Sequence, residues 1–355
     1  MEHGAEAVAA ASFIEITPLV VIALITLGLF GGLLSGFIGS GGAFVLTPGM
    51  MNLGVDGAVA VASNMAHKFP KAIVGAWKRR KLGHVDIKLG LVMAMSAIVG
   101  VQVGIQIQRM ILDVWGKAGS NLYISLVFVI VLFVVGTYVL IDGTKTAKDL
   151  SGDTVPALAQ KARKIQIPPV LFFKQANAKV SVWVSVPLGF ATGVLAATIA
   201  VGGFIGVPSM IYVIGAPAFV ASGTELIVAF VMGLTGAFTW ALGGYVDLRL
   251  TALILAGSLV GVQIGAIGTS YVKEYMIKIV TGTVMILAGV SRIIVIPTYL
   301  DDLDIMPLSD GVTTMLNNGS LVMLYTTLVG SGVLIVGAMI KGKIAVGNSW
   351  HEIQH

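Results

Sequence analysis

One apolar segment carries a row of polar and ionisable side chains that could bind or transfer charge. In "GAVAVASNMAHKFPKAIVGAW", residues 57–77, Asn64, His67, Lys68 and Lys71 fall at positions i, i+3, i+4 and i+7. This spacing places them on one face of a helix. A lysine attracts an anion, and a histidine exchanges a proton near neutral pH. The pattern therefore predicts anion binding and proton transfer on this helix.

A second apolar segment, "ASGTELIVAFVMGLTGAF", supplies a carboxylate. Ser222 and Glu225 share a helical face there. We expect Lys68 to compensate the charge of a bound anion, Asn64 and Ser222 to donate hydrogen bonds to it, and Glu225 or His67 to carry a proton. The alternative is a structural ion pair between Lys68 and Glu225, although such buried pairs contribute little net stability.

Two glycine-rich sequences interrupt apolar stretches that are each too long for one membrane crossing. They are "GFIGSGGAFVLTP" and "ATIAVGGFIGVP". Glycine weakens a helix by about 1 kcal/mol relative to alanine, so each sequence predicts a broken helix or a re-entrant segment. The free N–H groups at such a break suit an anion. The candidate binding residues are Gly39, Ser40, Gly41, Gly42, Thr198, Gly202 and Gly203. The alternative is close helix packing by small residues.

The composition explains what must position these groups. Of the 355 residues, 56% are hydrophobic and 11% are charged, and the mean hydropathy is +0.95. Soluble domains carry about 25% charged residues, so the chain is predicted to be an all-α, multi-pass membrane protein. The net charge of +5 comes from bases clustered in short loops, which excludes a nucleic-acid partner. No cysteine is present, so no disulfide or thiolate metal site is expected.

Apolar runs of about 20 residues mark the crossings. They cover residues 18–40, 57–77, 89–108, 121–141, 181–201, 218–241, 250–270, 276–296 and 320–340. We expect eight or nine transmembrane helices, arranged as an N-terminal segment (1–17), membrane repeat 1 (18–141), a linker (142–180), membrane repeat 2 (181–297), a polar loop (298–319), an extra helix (320–340) and a tail (341–355).

Two homologous halves are indicated by recurring short motifs. "GVQVG" at 100–104 recurs as "GVQIG" at 261–265, and "GHVD" at 83–86 recurs as "GYVD" at 244–247, both 161 positions later. "VAS" at 61–63 recurs two residues out of phase, which a small indel explains, and Glu225 then falls within three residues of the counterpart of His67. Four crossings per half predict parallel repeats. If the half-helices cross fully, the repeats are inverted, and the sequence leaves this open.

These motifs resemble the TauE/SafE sulfite exporter family, also called TSUP. "GSGGAFVLTP", "AVGGFIGVP", the downstream "VASN" and "VASG", and the duplicated layout carry the resemblance over about residues 20–295. It implies a secondary transporter, and in particular an exporter, of small sulfur-containing anions such as sulfite, sulfoacetate or other organosulfonates. The linker and the ninth helix depart from the family pattern.

Other function classes have less support. "HEIQH", residues 351–355, matches a zinc-binding motif, but a chain end cannot hold a dry site. We therefore expect that the protein binds no metal or cofactor and is not an enzyme. An uncoupled anion channel and a membrane assembly protein remain alternatives. The expected partners are a small anion, protons and the bilayer of the cell (inner) membrane, with a homo-oligomer left open. Seven Lys or Arg against three Asp in residues 142–179 predict a cytoplasmic linker.

Overall fold

The chain is almost entirely helical, as the sequence predicts. The computed structural model describes residues 13–38, 42–81, 83–148, 156–268, 272 and 274–352. Within these residues, seven helices are long and apolar enough to cross a membrane. Large apolar side chains point outward from them: Leu19 is 77% exposed and Val114 is 72% exposed. An apolar exterior of this kind suits lipid, and the chain is a polytopic helical membrane protein.

Each predicted span overlaps a helix, although the helix Ile87–Lys148 is longer than the two spans predicted there and the last helix runs from Asp310 to Glu352 rather than over 320–340. In chain order they are α1 Pro18–Ile38, α2 Ala43–Asn52, α3 Gly57–Lys81, α4 Ile87–Lys148, α5 Ala157–Arg163, β1 Val170–Phe173, β2 Ala178–Ser181, α6 Val182–Ile199, α7 Gly203–Ser209 with a π-helical turn Met210–Ile214, α8 Ala218–Leu242, α9 Leu248–Gly268, α10 Glu274–Asp301 and α11 Asp310–Glu352. Helix α4 is interrupted at Gly116, where φ is 62° and ψ is −159°. It therefore has a first limb (87–115) and a second limb (117–148).

Helices α1 and α2 form a hairpin around the first glycine-rich sequence. Their contacts run in reverse order, because Gly31 contacts Leu46 and Gly49 contacts Leu27. Helix α2 therefore returns toward the face where α1 begins. At the start of α3, the amide of Gly57 donates to Asn121 Oδ1 at 2.7 Å, beside the Gly116 break. We call this side the break face.

Helices α6 and α7 form the corresponding hairpin from the other side. Helix α6 begins directly after the two-stranded β1–β2 sheet of the linker. The π-helical turn that follows α7 ends next to linker helix α5, since Arg163 Nη2 donates to the Gly215 carbonyl oxygen at 3.1 Å. Both ends of this hairpin thus lie on one side of the molecule, which we call the linker face.

The two halves run in opposite directions. Helices α3 and α8 are counterparts by sequence, yet they pack antiparallel: Gly233 contacts Phe69, and Gly236 contacts Met65. Each hairpin enters from its own face, so the expectation of parallel repeats is wrong and the inverted alternative holds. The reason is that each first helix is followed by a short helix that turns back, which reverses the direction of everything after it.

Two hydrogen bonds define how the halves correspond. The amide of Asp86 donates to Thr224 Oγ1 at 2.9 Å, and the amide of Asp247 donates to Ser63 Oγ at 3.1 Å. The residues of the second bond are the 161-position counterparts of those in the first. No indel is therefore needed between the halves, and the out-of-phase recurrence of "VAS" does not mark equivalent positions.

The duplicated "GVQ(V/I)G" motifs join the halves by close helix packing. A Cβ atom on Gly100 would lie 2.1 Å from the Phe190 carbonyl oxygen on α6. A Cβ atom on Gly261 would lie 1.9 Å from the Leu29 carbonyl oxygen on α1. Any larger residue would clash with backbone, so each half presents a glycine seam to the first helix of the other half.

The end of the chain returns to the linker face. Helix α11 runs parallel to α1. Gly332 contacts Phe30 in the middle of α1, and Met339, further along α11, contacts Gly268 at the end of α9, which also contacts Phe37 near the end of α1. The basic sequence "KGK" (341–343) belongs to the last part of α11, which ends on the same side as the basic linker.

Candidate functional site

The two hairpin tips meet in the interior of the molecule. The rings of Phe44, on α2, and Phe204, on α7, lie 4.3 Å apart between centroids in an edge-to-face contact. Gly42 packs so tightly against α1 that a Cβ atom would lie 1.8 Å from the Gly31 carbonyl oxygen. The structure thus brings the two glycine-rich sequences together. The predicted binding residues Gly39, Ser40 and Gly41 lie outside the described residues.

Lys68 joins the two halves at this point. It is buried, and its Nζ atom donates to the carbonyl oxygen of Ala200 at 3.0 Å. Ala200 ends α6 in the left-handed conformation with φ 61°, which turns its carbonyl group away from the helix. A cation from the first half is therefore held against the hairpin tip of the second half.

Glu225 faces the same hairpin from α8. Its side chain is 1% exposed and lies against Gly206, where a Cβ atom would fall 2.0 Å from Oε2. Within the described part of the chain, neither carboxylate oxygen has a hydrogen-bond partner. Glu225 is the 161-position counterpart of Asn64, so the equivalent site in the two halves carries an amide in one and a carboxylate in the other.

Lys68 and Glu225 attract each other electrostatically without forming a contact pair. The ion pairs found within 4.0 Å among the described residues involve other side chains. Lys68 is hydrogen-bonded to a carbonyl oxygen instead, and the carboxylate oxygens of Glu225 have no hydrogen-bond partner among the described residues. The alternative of a direct structural ion pair is therefore wrong for this conformation.

Asn64 and His67 lie beside Lys68 on α3, as the helical spacing predicts. Asn64 Nδ2 donates to Thr47 Oγ1 on α2 at 2.9 Å, so Asn64 also supports the first hairpin. His67 is 1% exposed, and both of its ring nitrogens lack a hydrogen-bond partner among the described residues. Lys71, one turn further on, donates to Ser35 Oγ on α1 at 3.1 Å.

Ser222 lies one helical turn from Glu225, and its partner is a residue that the sequence analysis missed. Arg79 Nη1 donates to Ser222 Oγ at 2.8 Å. Arg79 belongs to the basic cluster "WKRRK", but it follows Lys68 by eleven residues and therefore shares its helical face. That periodicity is the signal that could have identified it. Arg79 adds a cation between the linker face and Lys68.

The second hairpin tip has backbone N–H donors, but the hydroxyl group of Thr198 is already hydrogen-bonded within its own helix. Thr198 Oγ1 donates its proton to the Val194 carbonyl oxygen at 3.0 Å, and the side chain of Tyr123 lies near it. Gly202 packs against Ala196 of its own hairpin. The amides of Gly203 and Phe204 have no acceptor among the described residues, as is usual for the first turn of a helix.

This arrangement can hold an anion and exchange a proton. A buried ammonium group, two backbone amides at the start of α7 and a buried amide side chain lie at or beside the tips, and the carboxyl group of Glu225 lies against α7. No group of three potential metal ligands occurs within the described residues. In the tail motif, His351 and Glu352 are the last residues of α11, and residues 353–355 lie outside the described residues.

Comparison with known proteins gives this site its context. A sequence profile described as "Sulfite exporter TauE/SafE" matches residues 24–292. The chain belongs to the TauE/SafE family. The matched region includes both hairpins, α3, α8 and all the site residues above, whereas α11 lies outside it.

Curated TauE/SafE-like relatives from Bacillus subtilis (strain 168) are similar over most of their length. "Probable membrane transporter protein YjnA" is 23% identical over 272 residues, covering 77% of this chain and 99% of the relative. "Probable membrane transporter protein YdhB" is 24% identical over 253 residues, covering 70% and 89%. "Probable membrane transporter protein YunE" is 22% identical over 278 residues, covering 76% and 95%. No solved structure matches the chain. The chain is therefore a membrane transporter.

Proposed function

We propose that this TauE/SafE member is a secondary transporter that exports a small sulfur-containing anion, such as sulfite, sulfoacetate or another organosulfonate, by alternating access. The observation that carries the proposal is the buried Lys68, held against the opposing hairpin tip without a carboxylate contact. A buried ionisable group inside a membrane is costly and marks a transport pathway. The description of the family as sulfite exporters supports the choice of anion.

The anion would bind between the two hairpin tips. Lys68 compensates its charge, and Asn64 and the amides of Gly203 and Phe204 donate hydrogen bonds. Gly39, Ser40, Gly41, Gly42, Thr198 and Gly202 are the further residues that we expect to bind it. Ser222 acts with Arg79 one turn away, so this pair guides the anion between the linker face and Lys68.

Proton coupling would use Glu225, with His67 as the other candidate. The carboxylate oxygens of Glu225 have no partner among the described residues, so a proton can bind there without first breaking a hydrogen bond. Lys68 is near enough for its charge to act on Glu225. Binding of the anion at Lys68 and binding of a proton at Glu225 would therefore influence each other.

The inverted halves support alternating access around this centre. In inverted-repeat transporters, one hairpin or bundle moves against the other around a central site. Here, one hairpin opens to each face, and the tips share the Phe44–Phe204 contact. We place the linker and the tail in the cytoplasm and the protein in the cell membrane, because Lys and Arg concentrate in both segments.

Flux into proteoliposomes tests the proposal. Purified full-length protein is compared with Lys68→Met for uptake of sulfite, sulfoacetate, thiosulfate, sulfate and chloride, with and without a pH gradient. We expect saturable flux of a sulfur anion that the gradient drives and that Lys68→Met abolishes. Conduction too fast for alternating access, with no response to the gradient, would indicate an uncoupled channel. Absence of flux for every anion in correctly folded protein would refute transport of this class.

A further inference from the structure

A second buried cation lies far from Lys68, near the break face. Arg292, on α10, is 0% exposed and belongs to a helix that can cross the membrane. It lies at Asn52, which ends α2, whereas the hairpin tip is at the start of α2. The ten residues of α2 separate the two places by about 15 Å, at 1.5 Å per helical residue.

Three helices meet around the Arg292 guanidinium. Its Nη2 atom donates to Asn52 Oδ1 on α2 and, at 3.0 Å, to Ser320 Oγ on α11. Tyr299, two turns further along α10, lies close to the guanidinium. Ser291 and Ser320 donate to each other's carbonyl oxygens, each at 2.8 Å, which holds α10 and α11 together beside it. The guanidinium of α10 is therefore bonded to both α2 and α11.

The cluster has more donors than acceptors. Arg292 Nε and Nη1 and Asn52 Nδ2 are buried and have no hydrogen-bond partner in the described part of the chain. No carboxylate there lies within 4.0 Å of the guanidinium. A buried charge without a counter-charge is strongly unfavourable. A hydrogen-bond acceptor with negative charge beside the guanidinium would offset its charge and accept from at least one of these donors.

We propose that Arg292 and Asn52 form a second anion-binding site, selective for a small oxyanion. A delocalised guanidinium is more weakly hydrated than a compact ammonium group, so it suits a buried site for an oxyanion. Ser320 comes from α11, outside the region that matches the family profile, so this helix completes the site. The site binds its anion independently of the central one and would remain if the transport proposal were wrong.

The most informative variant is Asn52→Asp, which supplies a carboxylate of nearly the same shape next to Arg292. Equilibrium dialysis of full-length protein in detergent measures the radiolabelled sulfite and sulfate bound per chain. We expect two bound anions in the wild type and one in Asn52→Asp, with a thermal midpoint at or above that of the wild type. Asn318→Asp, on the exposed side of α11, is the matched control and should still bind two. Arg292→Gln should also bind one.

The lysine variant separates this inference from the proposed function. If Lys68→Met also binds one anion, and its combination with Asn52→Asp binds none, both sites are present. If the wild type binds one anion that Asn52→Asp loses and Lys68→Met retains, the Arg292 site stands and the central site fails. Unchanged binding in Asn52→Asp, or no binding of either anion by the wild type, would overturn the Arg292 site.

Discussion

The Nζ atom of Lys68 lies 3.0 Å from the carbonyl oxygen of Ala200, so a cation of the first half holds the hairpin tip of the second. The same lysine lacks a carboxylate contact although Glu225 is buried nearby. Lys68 is thus available to an anion while it stabilises one conformation of the hairpin. An anion that draws Lys68 away from Ala200 would release the tip.

Replacement of Lys68 should impair transport more than folding. Lys68→Met would remove the charged hydrogen bond that Lys68 donates to the bound anion. A bond of this kind contributes about 1.5–3 kcal/mol, which corresponds to roughly 10- to 100-fold in anion affinity. We expect the KM for flux to rise by that factor or flux to disappear. Lys117→Met, at an exposed ion pair with Asp56, is the control. Equal flux in both variants would remove Lys68 from the binding site.

Replacement of Glu225 should separate anion exchange from its driving force. Glu225→Gln keeps the size of the side chain but cannot release a proton at accessible pH. We expect anion exchange across the membrane to persist while accumulation driven by a pH gradient is lost. Glu225→Asp, which retains the carboxyl group, should preserve part of that accumulation. If Glu225→Gln still accumulates the anion, His67→Gln becomes the next variant to measure.

The glycine seams should be equally intolerant in both halves. Gly100→Ala and Gly261→Ala would each place a Cβ atom about 2 Å from a backbone oxygen, and overpacking of this kind costs about 1–3 kcal/mol. Both should lower the thermal midpoint by several degrees. Gly330→Ala, with open space around it, should leave it unchanged or raise it. A neutral result at either seam position would contradict the packing role.

The inverted arrangement makes a prediction about sidedness. Because the chain has no native cysteine, single cysteines report cleanly on exposure to an impermeant maleimide in intact cells. A cysteine at Ile305, exposed near the break face, should react from outside. A cysteine at Phe172, exposed in the linker, and a cysteine added after His355 should both be protected. Protection of only one of these two would mean that α11 does not end on the linker face.

The sequence by itself determined the helices and the principal charged groups. Within a membrane, a backbone must satisfy its own hydrogen bonds, so long apolar runs can only be helices. The predicted spans therefore overlap α1, α3, both limbs of α4 and the later helices, although α11 and the limbs of α4 are longer than predicted. Lys68, His67 and Asn64 were predictable because their spacing along one helix decides which face they share.

Only the tertiary structure decided the direction of the halves and the partners of buried charges. A glycine-rich break predicts an interruption, but whether the next helix continues or turns back depends on packing, here Gly31 against Leu46 and Gly49 against Leu27. In the sequence, Arg79 looks like a loop cation and Arg292 like an ordinary helix residue. Their roles depend on residues that are distant along the chain and close only in the folded molecule: Ser222 contacts Arg79, and Asn52 and Ser320 contact Arg292.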